Sequence, residues 1–186
     1  MNRKFSTILT LLLLLALSTS TVAAAGAIKL SGGFSLGSLH FSGTMTGLGG
    51  YKSGVTVELI GAGIPVVLCT NQGGNEAPGQ NPPKVTADGT QYIGPSLIDK
   101  KGKASVGVAV ADQPSDYNLT GTQGGCPNDN WSATVINILW TDAIVNVYNG
   151  DGTTGPLLLT QTYACDPNLQ TASSLSCWLV SETSYR

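Results

Sequence analysis

Acid–base chemistry in this chain would have to start at His40, because His40 is its single histidine. Hydrolytic triads use a histidine to take the proton from a Ser or Cys nucleophile. His40 alternates with apolar residues and lies two positions before Ser42, which places it on the polar side of a predicted strand. A histidine on a wet strand face is more often a surface residue than a catalytic base. The pattern therefore argues against an enzyme of this type.

Carboxylates are the second group that could do chemistry, because glycoside hydrolysis needs two of them at a suitable separation. Most aspartates instead occur beside Gly, Pro, Asn or Lys, or at a predicted strand end, where turn formation explains them. These are Asp88, Asp99, Asp112, Asp129, Asp142, Asp151 and Asp166. Asp151 belongs to an Asn-Gly-Asp-Gly segment, which is more typical of a hairpin turn than of a calcium loop. We expect neither a catalytic pair nor a metal nor any cofactor.

An intramolecular isopeptide cross-link is a third chemistry for which the residue types are present. It would join Lys29 to a late asparagine, Asn137 or Asn146, with Glu58 as the acid between them. The order along the chain is suitable. The idea requires that three side chains on different strands meet, which strand patterns alone do not show.

Amide side chains are concentrated in residues 69–83, a long polar loop that follows an apolar run. Asn71, Asn75, Gln80 and Asn81 can donate and accept hydrogen bonds, as sugar recognition demands, and Trp131 follows Cys126 in a second loop. These five side chains are the candidate ligand-binding residues. The alternative is that the amides bond to their own backbone beside glycine and that Trp131 belongs to the core.

Two loops of this kind could be joined by a disulfide. The chain has four cysteines, which implies two disulfides behind a signal peptide, with three possible connectivities. Cys165 and Cys177 are close in sequence and form a natural local pair, which leaves Cys69 with Cys126. The sequence by itself does not decide between the connectivities.

The first 25 residues have the pattern of a cleaved secretory signal. A basic start is followed by an apolar run over residues 8–17 and by small residues before Gly26. The apolar run is shorter than the ~20 residues that a spanning helix needs. We therefore expect cleavage after Ala25 and a secreted, extracellular or cell-surface domain over residues 26–186.

Low charge excludes some partners. Charged residues make up 11% of the chain, and without the signal segment it is mildly acidic. Nucleic acid and anionic membranes are recognised by basic surfaces, so neither is an expected partner. Lys100, Lys101 and Lys103 surround Gly102 in a predicted turn, where a solvated hairpin tip is the simplest interpretation.

The elements that would position these residues are short strands, because apolar and polar residues alternate through most of the chain. The longest are residues 27–36, 38–47, 55–60, 64–70, 104–110, 131–140, 144–148 and 156–164, and shorter segments bring the number to nine or ten. Turns are predicted at residues 61–63, 88–89 and 142–143. This spacing favours an all-β fold, a single antiparallel β-sandwich of immunoglobulin-like type. A jelly roll or a closed barrel is the alternative.

Two motifs also resemble a known family. The loop after Cys69 has the pattern C-x-N-x-G-G-N-x-A-P-G-Q-N-P, and Cys126 begins C-P-N-x-N-W. Both are similar to a family of small uncharacterised secreted proteins from bacteria such as actinobacteria and Chloroflexi. The resemblance covers residues 55–147 and implies a bacterial source, one extracellular β domain and pairing of Cys69 with Cys126. It implies no catalytic residue and no ligand, and Cys165 and Cys177 fall outside its pattern.

Together these patterns predict a non-enzymatic extracellular or cell-surface protein with a structural or adhesive function. The glycine-rich segment 27–37 is the expected edge strand, and an exposed edge can pair with a second copy of the chain. The alternative is a carbohydrate-binding module that binds surface glycans with the loops 69–83 and 126–131. The expected partner is therefore either the chain itself or a glycan.

Overall fold

The computed structural model describes residues 26–36, 38–110, 114–171 and 174–185, and the predicted signal peptide lies outside these ranges. Their regular structure is strand with four short 3-10 turns, at Leu48–Gly50, Pro95–Leu97, Pro114–Asp116 and Pro167–Leu169. The strands are β1 (Lys29–Ser35), β2 (His40–Thr46), β3 (Val55–Thr70), β4 (Glu76–Pro78), β5 (Val85–Ile93), β6 (Ala104–Ala109), β7 (Ser132–Asn149), β8 (Leu157–Asp166) and β9 (Ser176–Ser184).

The strands form two antiparallel sheets that pack together. One sheet has the order β1-β2-β6. The other has six strands in the order β4-β3-β7-β8-β9, and β5 also pairs with β3. Strands β4 and β5 share one edge of β3, because β5 pairs with residues 55–63 and β4 with residues 68–70. The predicted all-β sandwich with two disulfides is confirmed.

The core lies between the sheets and contains the apolar residues that alternation placed inward. The positions predicted to be inward on β2, on the first half of β3 and on β6 are buried, as is Val110 just after β6: Leu39, Phe41, Met45, Val55, Val57, Leu59, Ala104, Val106, Val108 and Val110. Aromatic rings from both sheets meet edge-on, with the ring centre of Phe34 5.2 Å from that of Phe41 and 4.9 Å from that of Tyr163. Burial of these side chains drives the sheets together.

Two glutamine side chains connect the sheets where their edges approach. Gln161 Nε2 in β8 donates to the carbonyl oxygen of Leu30 in β1 (2.9 Å), and the Gly107 amide in β6 donates to Gln91 Oε1 in β5 (2.8 Å). Within the described ranges, strand ladders run inside each sheet and not from one sheet to the other. Apart from one isolated backbone bridge between Ser35 and Ser174, the seams between the sheets therefore depend on side chains, which distinguishes a sandwich from a closed barrel.

The turn predicted at residues 61–63 is wrong, because β3 runs straight through it. Gly61 and Gly63 are buried strand residues. A Cβ at Gly61 would lie 2.8 Å from the Trp140 ring, and one at Gly63 would lie 2.6 Å from Ile138 Cγ2. These glycines make room for large side chains on β7 and do not reverse the chain.

The turn predicted at residues 88–89 is wrong for a related reason. Asp88 and Gly89 lie within β5, and a Cβ at Gly89 would collide with the carbonyl group of Ala109 in the other sheet. Close approach of β5 to β6 at one seam requires a glycine here.

The connection predicted at residues 142–143 is also wrong, because β7 is one strand of 18 residues. Its register with β3 shifts twice, leaving Thr141 and Ile136 without a direct partner on β3. Each extra residue is a β-bulge, which moves the inward positions from odd to even numbers and back. The sequence pattern therefore looked like two strands.

Candidate functional site

The two polar loops meet at one end of the sandwich. Cys69 at the end of β3 is bonded to Cys126, with a Cα–Cα distance of 5.7 Å. The Gln80 amide donates to the Gly125 carbonyl oxygen (2.9 Å), which adds a backbone contact between the loops. The pairing of Cys69 with Cys126 and of Cys165 with Cys177 is confirmed.

The candidate amides divide into two groups. Asn71 Oδ1 accepts hydrogen bonds from the backbone amides of Gly73 and Asn75, both at 2.9 Å, so this side chain shapes its own loop. Asn75, Gln80 and Asn81 are exposed, and their amide side chains make no hydrogen bond within the described ranges. Only this second group presents unused donors and acceptors to a ligand.

Trp131 has an intermediate position. It is half-buried and packs against the core, as the alternative interpretation expected, but part of its ring faces solvent. The preceding loop is held by Asp129, whose Oδ1 accepts from the Thr122 hydroxyl (2.6 Å) and amide (2.7 Å). These bonds lower the pKa of Asp129. The loop before Trp131 is therefore held in a fixed shape, and the Cys69–Cys126 bond joins it to the loop that carries the exposed amides, which suits binding more than catalysis.

His40 has a partner that alternation did not reveal. Its Nδ1 lies 3.3 Å from Ser35 Oγ, directly across the β1–β2 ladder. Ser35 is the central residue of G-F-S-L-G over residues 33–37, a match to the nucleophile motif of hydrolases. That motif needs a strand-to-helix turn, and Ser35 instead ends β1. Within the described residues no carboxylate is hydrogen-bonded to the ring, so the pair lacks the third group of a triad.

Glu58 is a hydrogen-bonded carboxylate on the side of β3 that faces away from the core, between the buried residues Val57 and Leu59. Its Oε2 accepts from Asn146 Nδ2 (2.9 Å) and from the Tyr148 hydroxyl (3.0 Å), and Thr160 donates to Asn146 Oδ1 (2.9 Å). Burial, and then Glu58, raise the pKa of Tyr148. Glu58 and Asn146 thus meet as the isopeptide idea required, but Lys29 is exposed in β1 of the other sheet. The three residues do not form a cross-linking site.

Neither a metal-binding cluster nor a membrane-spanning helix is found in the described residues. No group of three or more His, Cys, Asp or Glu side chains in those residues could hold a metal ion. No helix within the same ranges is long and apolar enough to cross a membrane.

The last strand of the six-stranded sheet is the most exposed apolar element. Trp178, Leu179 and Val180 are 54%, 48% and 61% exposed, and we call these three residues the β9 patch. They lie next to each other on β9, whose ladder partner in the described residues is β8. The expected edge strand, β1, is less open, because Leu30 accepts from Gln161 and Ser35 bridges to Ser174.

No protein-family model matches the chain, and a search of curated proteins finds no match. The family resemblance of the two loops therefore remains a prediction. Function has to be inferred from the residues and their surroundings.

Proposed function

We propose that this chain is a non-enzymatic extracellular structural protein of bacterial origin that self-associates through strand β9. The observation that supports the proposal most directly is the β9 patch, three consecutive apolar residues about half exposed on a sheet edge. Exposed strand edges carry backbone donors and acceptors that pair readily with another strand, and proteins normally protect them with charge, proline or β-bulges. β9 contains one charged residue, Glu182, no proline, and one bulge, which leaves Val180 without a direct partner on β8.

A second copy of the same strand is a suitable partner. Antiparallel pairing of two β9 strands about Leu179 would bring the β9 patch of one copy against that of the other. Val180 is the extra residue of a β-bulge on β9, because Thr162 pairs with Ser181 and Tyr163 with Leu179. The apolar side chains would cover each other in an interface with two-fold symmetry. The six-stranded sheet would continue from one copy into the next.

The disulfide between Cys165 and Cys177 determines how β9 can associate. These residues are opposite each other in the β8–β9 ladder, so β9 is covalently held on β8. While the bond is intact, β9 cannot leave its own sheet to be exchanged between copies. Association then has to occur by addition of one edge to another.

Secretion is supported by the two disulfides, which form and persist in oxidising compartments. The predicted signal segment before residue 26 points to the same location. A cell-surface or matrix position would supply the high local concentration at which a small edge-to-edge interface assembles.

Light scattering after size-exclusion chromatography of oxidised residues 26–186 tests the proposal. We expect dimers or larger species for the wild type and monomers for Val180→Lys, because a lysine on the edge opposes pairing. Ile136→Lys is the matched control, since Ile136 is 56% exposed on β7, and it should associate like the wild type. A wild type that stays monomeric at high concentration would refute self-association, as would unchanged association of Val180→Lys.

Glycan binding is a second candidate function, at the loops 69–83 and 126–131 that the Cys69–Cys126 bond joins. We call these two segments the bridged loops. This function is favoured by the exposed amides of Asn75, Gln80 and Asn81 and by the partly exposed Trp131, which lie on these two joined loops. A glycan array with wild type, Asn75→Ala and Trp131→Ala tests it. Binding that both variants abolish supports the loops as the site, and binding that neither variant affects removes them from consideration.

A further inference from the structure

Positive charge is concentrated at the end of β3 opposite the bridged loops. Of the six lysines in the described residues, Lys52, Lys100, Lys101 and Lys103 lie in two neighbouring turns. The other two lie elsewhere: Lys29 is on β1, and Lys84 Nζ is 3.1 Å from Asp142 Oδ2. Four of the six lysines of the described residues thus lie in one small region.

These turns line an open pocket of about 250 Å³. Its lining combines apolar groups with two ammonium groups and one carboxylate: Leu48, Gly49, Tyr51, Lys52, Pro95, Ile98, Asp99 and Lys100. Leu48 is buried and forms the floor, while Lys52 and Lys100 are exposed at the rim. We call this feature the lysine pocket.

The lysine pocket is preformed, because the two turns are bonded to each other. The Leu48 amide donates to the Gly102 carbonyl oxygen (2.9 Å). Asp99 Oδ1 accepts from the backbone amides of Lys101 and Lys103, both at 2.8 Å. The bond from Lys103 is the main cause of the lowered pKa of Asp99. The one acid of the lining is therefore occupied in its own turn.

An immobilised aromatic ring lies next to the lysine pocket. The Tyr92 hydroxyl donates to the carbonyl oxygen of Ser53, the residue after Lys52 (2.9 Å). Gly54 and Gly94 leave room for the Tyr92 ring, which is 42% exposed. Together with Tyr51, it gives this end of the molecule two aromatic surfaces beside the ammonium groups.

We propose that the lysine pocket binds an acidic polysaccharide, a glycan whose sugar units carry carboxylates. Lysine ammonium groups attract the carboxylates, and tyrosine rings stack on the apolar C–H face of a pyranose ring. The pocket is small and open, which suits one sugar unit of a longer chain better than a whole soluble ligand. An open pocket at one end of the sandwich also lets the polysaccharide continue beyond it on both sides.

This site is independent of both functions proposed above. The lysine pocket precedes β3 at Val55, whereas the bridged loops follow β3 at Thr70. The β9 patch lies on another strand at the far edge of the sheet. Variants at one site therefore leave the other two intact.

Titration calorimetry of oxidised residues 26–186 with sodium polygalacturonate oligomers tests the proposal. We expect binding that weakens with added salt and that is absent for the fully methyl-esterified oligomers. Lys52→Glu combined with Lys100→Glu should weaken binding by about tenfold or more, because two charge-assisted contacts become repulsive. Lys29→Glu, which makes the same charge reversal at one lysine outside the pocket, on β1, should bind like the wild type.

Further variants separate a true site from other causes. Lys52→Gln with Lys100→Gln removes the charge without reversing it and should also weaken binding, while Tyr51→Ala should weaken it at unchanged salt dependence. Trp131→Ala should have no effect, which distinguishes this site from the bridged loops. Lack of polygalacturonate binding, equal binding of the ester, or equal loss in Lys29→Glu would overturn the proposal. Single-stranded DNA bound as tightly as polygalacturonate would also overturn it.

Discussion

Single glycines in this protein have two different physical functions that look alike in the sequence. Gly61 and Gly89 have extended backbone and are required because of close packing: a side chain would collide with Leu39 and Trp140 at Gly61 and with the Ala109 carbonyl group of the opposite sheet at Gly89. Gly102 and Gly74 have φ values of 72° and 79°, which other residues rarely adopt. Only the packed structure distinguishes these cases, and this is why two strands were predicted to turn where they continue.

Gly102 combines both requirements, so its replacement should be costly. A Cβ there would lie 2.5 Å from the Gly49 amide nitrogen, whereas a Cβ at Gly74 meets nothing within 4 Å. We expect Gly102→Ala to lower the free energy of unfolding by about 3 kcal/mol and Gly74→Ala by about 1 kcal/mol. Urea unfolding followed by tryptophan fluorescence measures both. Equal losses of unfolding free energy in the two variants would show that the turn at Gly102 is not packed against Gly49 as described.

Long strands interrupted by bulges are the main feature at the level of elements. β7 passes from one end of the sheet to the other because its bulges at Ile136 and Thr141 let it follow the sheet's coil. The alternation of inward and outward residues shifts by one position at each bulge. The sequence therefore predicts that strands are present here but not where β7 begins and ends. The short β4 strand was missed for another reason, since its three residues lie within a polar loop.

Strand β9 depends on its disulfide more than on burial. All but one of its nine residues are exposed, so few apolar contacts hold it in place. Replacing Cys165 and Cys177 with alanine opens a loop of 12 residues and should cost about 3 kcal/mol in the chain-entropy model. Limited proteolysis should then cut the C-terminal strand first.

The Cys69→Ala, Cys126→Ala variant is the comparison, and it should lose about 4 kcal/mol without early cleavage of β9. If β9 resists protease in both variants, packing and not the disulfide retains it.

The whole molecule is held at its two seams by glutamines in unequal environments. Gln161 is 2% exposed and is fully engaged, since it bonds to Leu30 and Glu182 and accepts from the Tyr163 hydroxyl. Burial, and then the charge of Glu182, raise the pKa of Tyr163. Gln91 at the other seam is half-buried, so water can replace its hydrogen bond. One seam is therefore a dry polar contact, and the other is solvated.

This difference predicts unequal effects of the same substitution. Gln161→Leu strands the Leu30 carbonyl and the Tyr163 hydroxyl in the core and should cost about 3 kcal/mol. Gln91→Leu should cost about 1 kcal/mol or less, since solvent satisfies the Gly107 amide. Urea unfolding of both variants checks this. Similar losses at the two seams would contradict a dry contact at Gln161.

The sequence by itself determined which segments form most of the strands, which of their residues face the core and which fold class results. Alternation over short ranges predicted strands, inward residues such as Phe41 and Val57, and an all-β sandwich, because burial on one face imposes a local period of two. The tertiary structure decided everything that depends on distant residues meeting. Asn71 was indistinguishable from Asn75 in the sequence until the loop geometry assigned one to its own backbone. The lysine pocket and the β9 patch likewise exist only because the fold brings separate turns together and leaves one strand at an edge.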